Sequence, residues 1–157
     1  MKTPPKGFQD QPYPYHHELV LTIENVTNLG HGVARDGEWV VQVAFALPGE
    51  RIKARVFRNH KNYSEADCLE VLEPSPERVE PKCELFGECG GCQYQSVRYE
   101  TQLAWKHRQV RESFAKIGGL TVEIEPVEPS PRKFGYRSKL TPHYERARTG
   151  ERRKVGF

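Results

Sequence analysis

Residues 18–72 read ELVLTIENVTNLGHGVARDGEWVVQVAFALPGERIKARVFRNHKNYSEADCLEVL, and the fold turns on how that stretch divides. Alternating or β-branched apolar residues mark strands at Glu18 to Thr27, Glu38 to Val43, Glu50 to Phe57 and Tyr63 to Val71. Turn chemistry separates them. Gly30 and Gly32 bracket His31, Asp36-Gly37 is a hairpin signal, and Leu47-Pro48-Gly49-Glu50 places a Pro-Gly turn before the next strand. Four or five short strands in about 55 residues predict a small closed barrel.

Outward from the barrel, residues 1–16 carry Pro4, Pro5, Pro12 and Pro14 with little apolar content, and read as a disordered or extended leader without function. On the other side Pro74, Pro76 and Pro81 surround Arg78 and mark a joint. Beyond it Ser96 is placed to cap a helix running to about Ile117, with Leu103, Val110, Phe114 and Ile117 at helical spacing and Gly118-Gly119 at its end. Its opposite face carries Lys106, Arg108 and Arg111. Strand-like pieces follow at Thr121 to Glu125 and Tyr136 to Thr141, among Pro126, Pro129, Pro131 and Pro142. The predicted architecture is mainly β with one long helix. A leader (1–16) precedes an OB-like barrel (17–74); a joint, cysteine segment and helix (75–118) come next, and a basic β segment (119–157) opens an α+β region.

The 157 residues, 36% hydrophobic, allow one ordinary domain or two small ones and exclude a large enzyme core. The net charge of +3 is unevenly spread: residues 129–157 hold nine Lys/Arg against two acidic residues, a local +7 that leaves −4 for the rest. Such a segment suits a polyanion, because each phosphate neutralised by Lys or Arg releases counterions. Arg132, Lys133, Arg137 and Lys139 are the first candidates for RNA contact, with Arg35, Arg55, Arg58 and Lys61 of the barrel as a second set. Phe45, Phe57 and Tyr63 are candidates for base stacking, although aromatic residues of a small barrel more often form its core. The opening residues lack a signal-peptide pattern, and no apolar run approaches the roughly 18 residues of a membrane span. A cytoplasmic location with no membrane partner is expected.

Of four cysteines, Cys83, Cys89 and Cys92 are spaced C-x5-C-x2-C, with Gly90-Gly91 allowing a tight turn between the last two. In a reducing compartment such crowding favours metal ligation over disulfides. Structural zinc and a four-iron cluster each want four ligands, and the spacing alone does not separate them. Cys68 lies in an apparent strand and reads as a core thiol. His107, mid-helix, reads as a surface residue or cap partner, and His16, His17, His31, His60 and His143 are no better placed as ligands.

The run Cys83-Glu-Leu-Phe-Gly-Glu-Cys89-Gly-Gly-Cys92-Gln-Tyr-Gln95, followed by Gln102, Lys106 and Val110, resembles the cluster-binding segment of the bacterial 23S rRNA uracil-5-methyltransferase family. Gly30-His-Gly-Val-Ala-Arg35-Asp-Gly37, Leu47-Pro-Gly-Glu50 and Pro74-Ser-Pro-Glu-Arg78-Val-Glu-Pro81 resemble its N-terminal TRAM domain, an OB-like RNA-binding barrel. Gly135-Tyr-Arg137-Ser-Lys139 and Lys154-Val-Gly156-Phe157 resemble its following β segment. The resemblance implies a 4Fe-4S cluster on Cys83, Cys89 and Cys92, with the fourth cysteine and the S-adenosylmethionine-binding Rossmann-like catalytic domain lying beyond Phe157. The expectation is therefore an RNA-binding portion, for structured rRNA or tRNA, that does not methylate unaided and whose partners include that C-terminal methyltransferase domain. A stand-alone zinc-containing TRAM-type module is the alternative and requires a fourth ligand within the chain, Cys68 or a histidine. A radical S-adenosylmethionine methylthiotransferase also combines barrel and cluster, but its C-x3-C-x2-C spacing and element order disagree with this sequence.

Overall fold

The structure is a computed structural model that describes residues 3–139, 141–144 and 155–156. It comprises two compact units, Met1–Arg78 and Val79–Phe157.

In the first unit β1 (Glu18–Val26), β2 (His31–Asp36), β3 (Trp39–Ala44), β4 (Arg51–Asn59) and β5 (Tyr63–Glu73) close into a barrel in the order β1-β2-β3-β5-β4. Only the β3–β5 pairing is parallel. Closure leaves no sheet edge open to another chain. The alternation read from the sequence gives the barrel its inside and outside: Ile52, Ala54 and Val56 of β4 are fully buried, while Lys53 and Arg55 between them are not. Ile23, Ala34, Val41, Val43 and Ala66 complete an interior in which small and branched residues alternate, as a narrow barrel requires. Substituting Ile52 by Ala would cost about 2–5 kcal/mol.

β2 departs from expectation: Gly30 lies in the turn before it, with φ +86°, but Gly32, also read as a turn residue, does not. Gly32 sits inside the strand: a Cβ there would meet the Ala46 carbonyl oxygen at 2.6 Å and Ile23 Cγ2 at 3.0 Å. Close backbone approach, not a turn, requires that glycine.

The Leu47–Glu50 turn and the Pro-rich joint form one polar centre. Glu50 is fully buried, and its Oε2 accepts the Leu47 N–H and Arg78 Nη2, both at 2.8 Å. Its Oε1 accepts Arg78 Nε and the Ser75 N–H, while Arg78 Nη2 also reaches the Phe45 carbonyl at 2.8 Å. A buried carboxylate persists only with such a set of donors.

The leader is a correction to the sequence reading. Read as disordered or extended, it is in fact fastened to the barrel from Gln9 onward. Tyr13 joins the core, and its hydroxyl donates to Asp36 Oδ2 at 2.8 Å. Asn59, buried at the end of β4, donates to the carbonyls of Gln9 and Tyr13 and accepts from Ser64 Oγ. The His16 N–H donates to the Val56 carbonyl and the Val56 N–H to that of His17, each at 2.9 Å. These side-chain and main-chain bonds offset the entropy of ordering a proline-rich segment.

In the second unit α1 spans Tyr99–Lys116. Ser96 does not cap it. Arg98 occupies the cap position without a side-chain bond, and Ser96 Oγ is buried with no partner among the described residues. Gln102 serves the preceding turn instead, donating to the carbonyls of Tyr94 and Val97. The helix ends as expected at Gly118-Gly119, with Gly119 at φ +64° and the Leu120 N–H on the Phe114 carbonyl. The strand-like pieces after it are not strands over the described residues. Pro126, Pro129 and Pro131 lack the N–H that a ladder needs, and the segment runs beside α1 instead. His107 Nε2 donates to the Ile124 carbonyl at 2.9 Å, and the Ser130 N–H donates to the Tyr99 hydroxyl at 2.7 Å. Leu140, in the second expected piece, lies outside the described residues. A two-residue ladder, β6 (His143–Tyr144) with β7 (Val155–Gly156), follows; the basic block between them and the flanking Lys154 and Phe157 lie outside the described residues. No helix among the described residues is long and apolar enough to cross a membrane.

Candidate nucleic-acid interface

Four cations line the outer face of β4, and each meets an acid on a neighbouring strand. Arg51 pairs with Glu73 (3.2 Å), Lys53 with Glu18 (2.6 Å), Arg55 with Asp67 (3.0 Å) and Arg58 with Glu65 (3.6 Å). On β2, Arg35 lies 3.9 Å from Glu24. Three of the four barrel residues expected to meet phosphate, Arg35, Arg55 and Arg58, therefore already face a carboxylate. Strand register places those acids, and a linear reading does not show it. Lys61, exposed in the β4–β5 turn, has no ion-pair partner among the described residues.

The segment after α1 is different. Arg132, Arg137 and Lys139 are exposed and form no ion pair among the described residues. Lys133 lies 3.3 Å from Glu100 Oε1 and 4.6 Å from the centre of the Tyr99 ring. Of the stacking candidates, Phe45, Phe57 and Tyr63 are all partly exposed, and Tyr63 stacks on His60 with ring centres 4.3 Å apart. Phe45 holds a left-handed backbone (φ +62°) where its carbonyl meets Arg78.

The cysteines lie in a run of turns. The Phe86 N–H reaches the Cys83 carbonyl, the Cys89 N–H reaches that of Leu85, and Gly87 supplies a φ of +94°. Gln95 Oε1 accepts the Cys83 N–H at 3.2 Å, and Cys89 Sγ accepts the Gly91 N–H at 3.4 Å. All four thiols are free; Cys83 and Cys92 are exposed, Cys89 is half-buried. Cys68 packs against the barrel core, and burial pushes its thiol pKa up. It stands with the barrel, as the sequence reading had it.

Residues 17–69 match the family model of the TRAM domain. The chain is 39% identical over 132 residues to an uncharacterized RNA methyltransferase of Synechocystis sp., covering 83% of this chain and 28% of that relative. It is 41% identical over 124 residues to one of Thermosynechococcus vestitus, covering 78% and 28%. This chain therefore carries a TRAM domain and, over most of its length, is similar to a part of proteins named RNA methyltransferases. It spans between a quarter and a third of the length of these relatives, and corresponds to their TRAM-containing N-terminal portion. Among solved structures, the Pyrococcus abyssi tRNA (uracil-54, C5)-methyltransferase in complex with S-adenosyl-L-homocysteine is 29% identical, covering 72% of this chain and 24% of its own, at a TM-score of 0.45. The barrel assignment rests on the strand order itself.

The cysteine segment is the place to test for a thiolate-held group. Its donors are of the right kind, and an N–H already points at Cys89 sulfur. Its geometry does not fit as it stands: the described residues contain no group of three or more His, Cys, Asp and Glu suited to holding a metal ion. The spacing brings the three thiols into one run of turns, but the described residues do not gather them into a ligand set.

Proposed function

We propose that this chain is the RNA-binding, iron–sulfur-holding portion of an RNA uracil-5-methyltransferase that acts on rRNA or tRNA with S-adenosylmethionine, methyl transfer itself residing in the part of the family's length beyond these residues. The observation that carries the reading is a TRAM domain built as a closed barrel, followed in sequence by a free-thiol C-x5-C-x2-C segment. RNA contact is assigned first to Arg132, Lys133, Arg137 and Lys139, whose charge is mostly uncompensated within the described residues, and to Lys61 of the barrel. Arg35, Arg55 and Arg58 are demoted by their ion pairs. In this reading Cys83, Cys89 and Cys92 would supply three thiolates to a 4Fe-4S cluster. The group would staple the turns of residues 83–92 to one centre, as metals do in small segments with little core.

The test is iron and acid-labile sulfide after anaerobic reconstitution with an external thiol, alongside binding of structured RNA across a salt series. Equal iron and sulfide with broad visible absorption, and affinity that falls steeply with salt, are expected. Stoichiometric zinc without sulfide would overturn the cluster assignment in favour of the self-contained zinc module. Replacing Cys89 with Ser should then speed hydrogen exchange over residues 82–117 of the loaded protein; unchanged protection would deny the cluster a structural role.

A further inference from the structure

The leader, which precedes the matched TRAM segment, carries an aromatic stack. Phe8 meets Tyr15 edge-on, with ring centres 5.1 Å apart and planes at 72°, and Tyr15 lies flat on His16 at 3.9 Å and 23°. A second flat pair, His60 on Tyr63, forms at the β4–β5 turn at 15° between planes. Asn59, next to His60, is the residue whose amide holds the carbonyls of Gln9 and Tyr13, so leader and turn are fastened at the same end of the barrel.

These rings differ from the ring that anchors the leader. Tyr13 is buried in the core with its hydroxyl satisfied by Asp36, whereas Phe8, Tyr15, His16, His60 and Tyr63 all keep part of their surface in solvent. His16 is also held in the left-handed region (φ +65°), unusual for a residue with a Cβ, by the two backbone bonds of the His16-His17 pair to Val56. A rigid, half-open π surface beside an exposed lysine, Lys61, is what an unpaired nucleobase and its phosphate require. In OB barrels the loop joining the fourth and fifth strands is one of those that meet oligonucleotides, and here the leader adds its own rings to that loop.

We propose that this end of the barrel is a stacking platform for unpaired RNA bases, with Tyr15–His16 and His60–Tyr63 as its π surfaces and Lys61 on the backbone. The inference rests on the RNA-binding reading and gives the leader, outside the TRAM match, a share in it. The experiment uses the full chain and a 12-nucleotide single-stranded RNA carrying 2-aminopurine, beside the same sequence as a duplex. The wild-type protein should prefer the single strand and quench the probe. Tyr15→Leu and Tyr63→Leu, which keep bulk but remove the ring, should each weaken binding about 10-fold and lose quenching. Wild-type binding with variants within 2-fold of it, or with the duplex bound more tightly, overturns the platform while leaving RNA binding intact. No RNA binding by the wild type overturns the underlying reading. If a Leu variant melts early, Tyr15→Phe must keep full affinity, and photocrosslinks from 5-bromouridine RNA must fall within residues 8–17 or 60–63; crosslinks confined elsewhere overturn the proposal.

Discussion

The barrel and the unit that follows it differ in how far they answer their own charges, although the barrel also buries Arg55 Nε and His60 Nε2 without a hydrogen-bond partner among the described residues. In the barrel, the buried carboxylate of Glu50 has four donors, each β4 cation faces an acid, and Asn59 and Ser64 complete one another. In the second unit the thiols of Cys83, Cys89 and Cys92 are free, Ser96 Oγ is buried and unmatched, and Arg132, Arg137 and Lys139 stand without ion pairs among the described residues. A segment whose charges are already answered gains little from a polyanion. One whose charges are not answered gains counterion release with each contact. Counting lysines and arginines does not distinguish the two; counting the unanswered ones does.

The sharpest way to break the barrel's self-sufficiency is to remove Arg78. Arg78→Ala leaves the fully buried Glu50 carboxylate with only the Leu47 and Ser75 N–H groups, and loss of one partner of a buried pair costs about 3–5 kcal/mol. Urea denaturation followed on barrel amides should show that loss. A change below about 1 kcal/mol would mean that the pair is not the barrel's polar keystone.

The complementary experiment removes the unanswered charge. Replacing Arg132, Lys133, Arg137 and Lys139 together with Ala should lower RNA affinity about 100-fold near physiological salt and flatten the log-log salt slope by about 3, slightly less than four full contacts because Lys133 already shares its charge with Glu100. An unaltered slope would move the interface elsewhere. The matched control is Arg55→Ala with Arg58→Ala. Because Asp67 and Glu65 already occupy these side chains, affinity should change less than about 3-fold, and stability by no more than the ~1 kcal/mol typical of surface pairs. A loss as large as that of the first set would erase the contrast between the two regions.

What was legible in the sequence depended on how far apart the deciding residues lie. Strand alternation in β4 and β5 and the Gly118-Gly119 stop are local, and they were readable. β2 was mistaken for turn because Gly32 answers to the backbone of Ala46 across the barrel, not to its neighbours. The leader looked disordered because its fasteners, Asp36, Val56 and Asn59, lie far along the chain and its own prolines give no hint of them. The Leu47–Glu50 and Pro74–Pro81 motifs were both noticed, but their union through Arg78 is a three-dimensional fact. Ser96 had the right chemistry for a cap at the wrong distance from Tyr99. The C-x5-C-x2-C spacing was visible along the chain, while the ion pairs of Arg35, Arg55 and Arg58 follow from strand register, which spacing does not carry.

The smallest effect tests whether the leader shares the barrel's internal completeness. Burial, and then the bond to the Asp36 carboxylate, raise the Tyr13 phenol above its ordinary pKa near 10. A group raised on folding contributes stability that is whole below its unfolded pKa and is lost as pH climbs from there toward the folded one, because the unfolded chain releases that proton first. Wild-type stability should therefore decline above about pH 10. Tyr13→Phe keeps the ring in the core but leaves Asp36 without its donor, costing about 0.5–1.5 kcal/mol at neutral pH. It should also remove this residue's share of the alkaline decline, so the two stability curves converge as pH rises. Parallel curves across that range would mean that the phenol titrates as freely in the folded protein as in the unfolded chain, and the leader would then be resting on the barrel instead of being part of it.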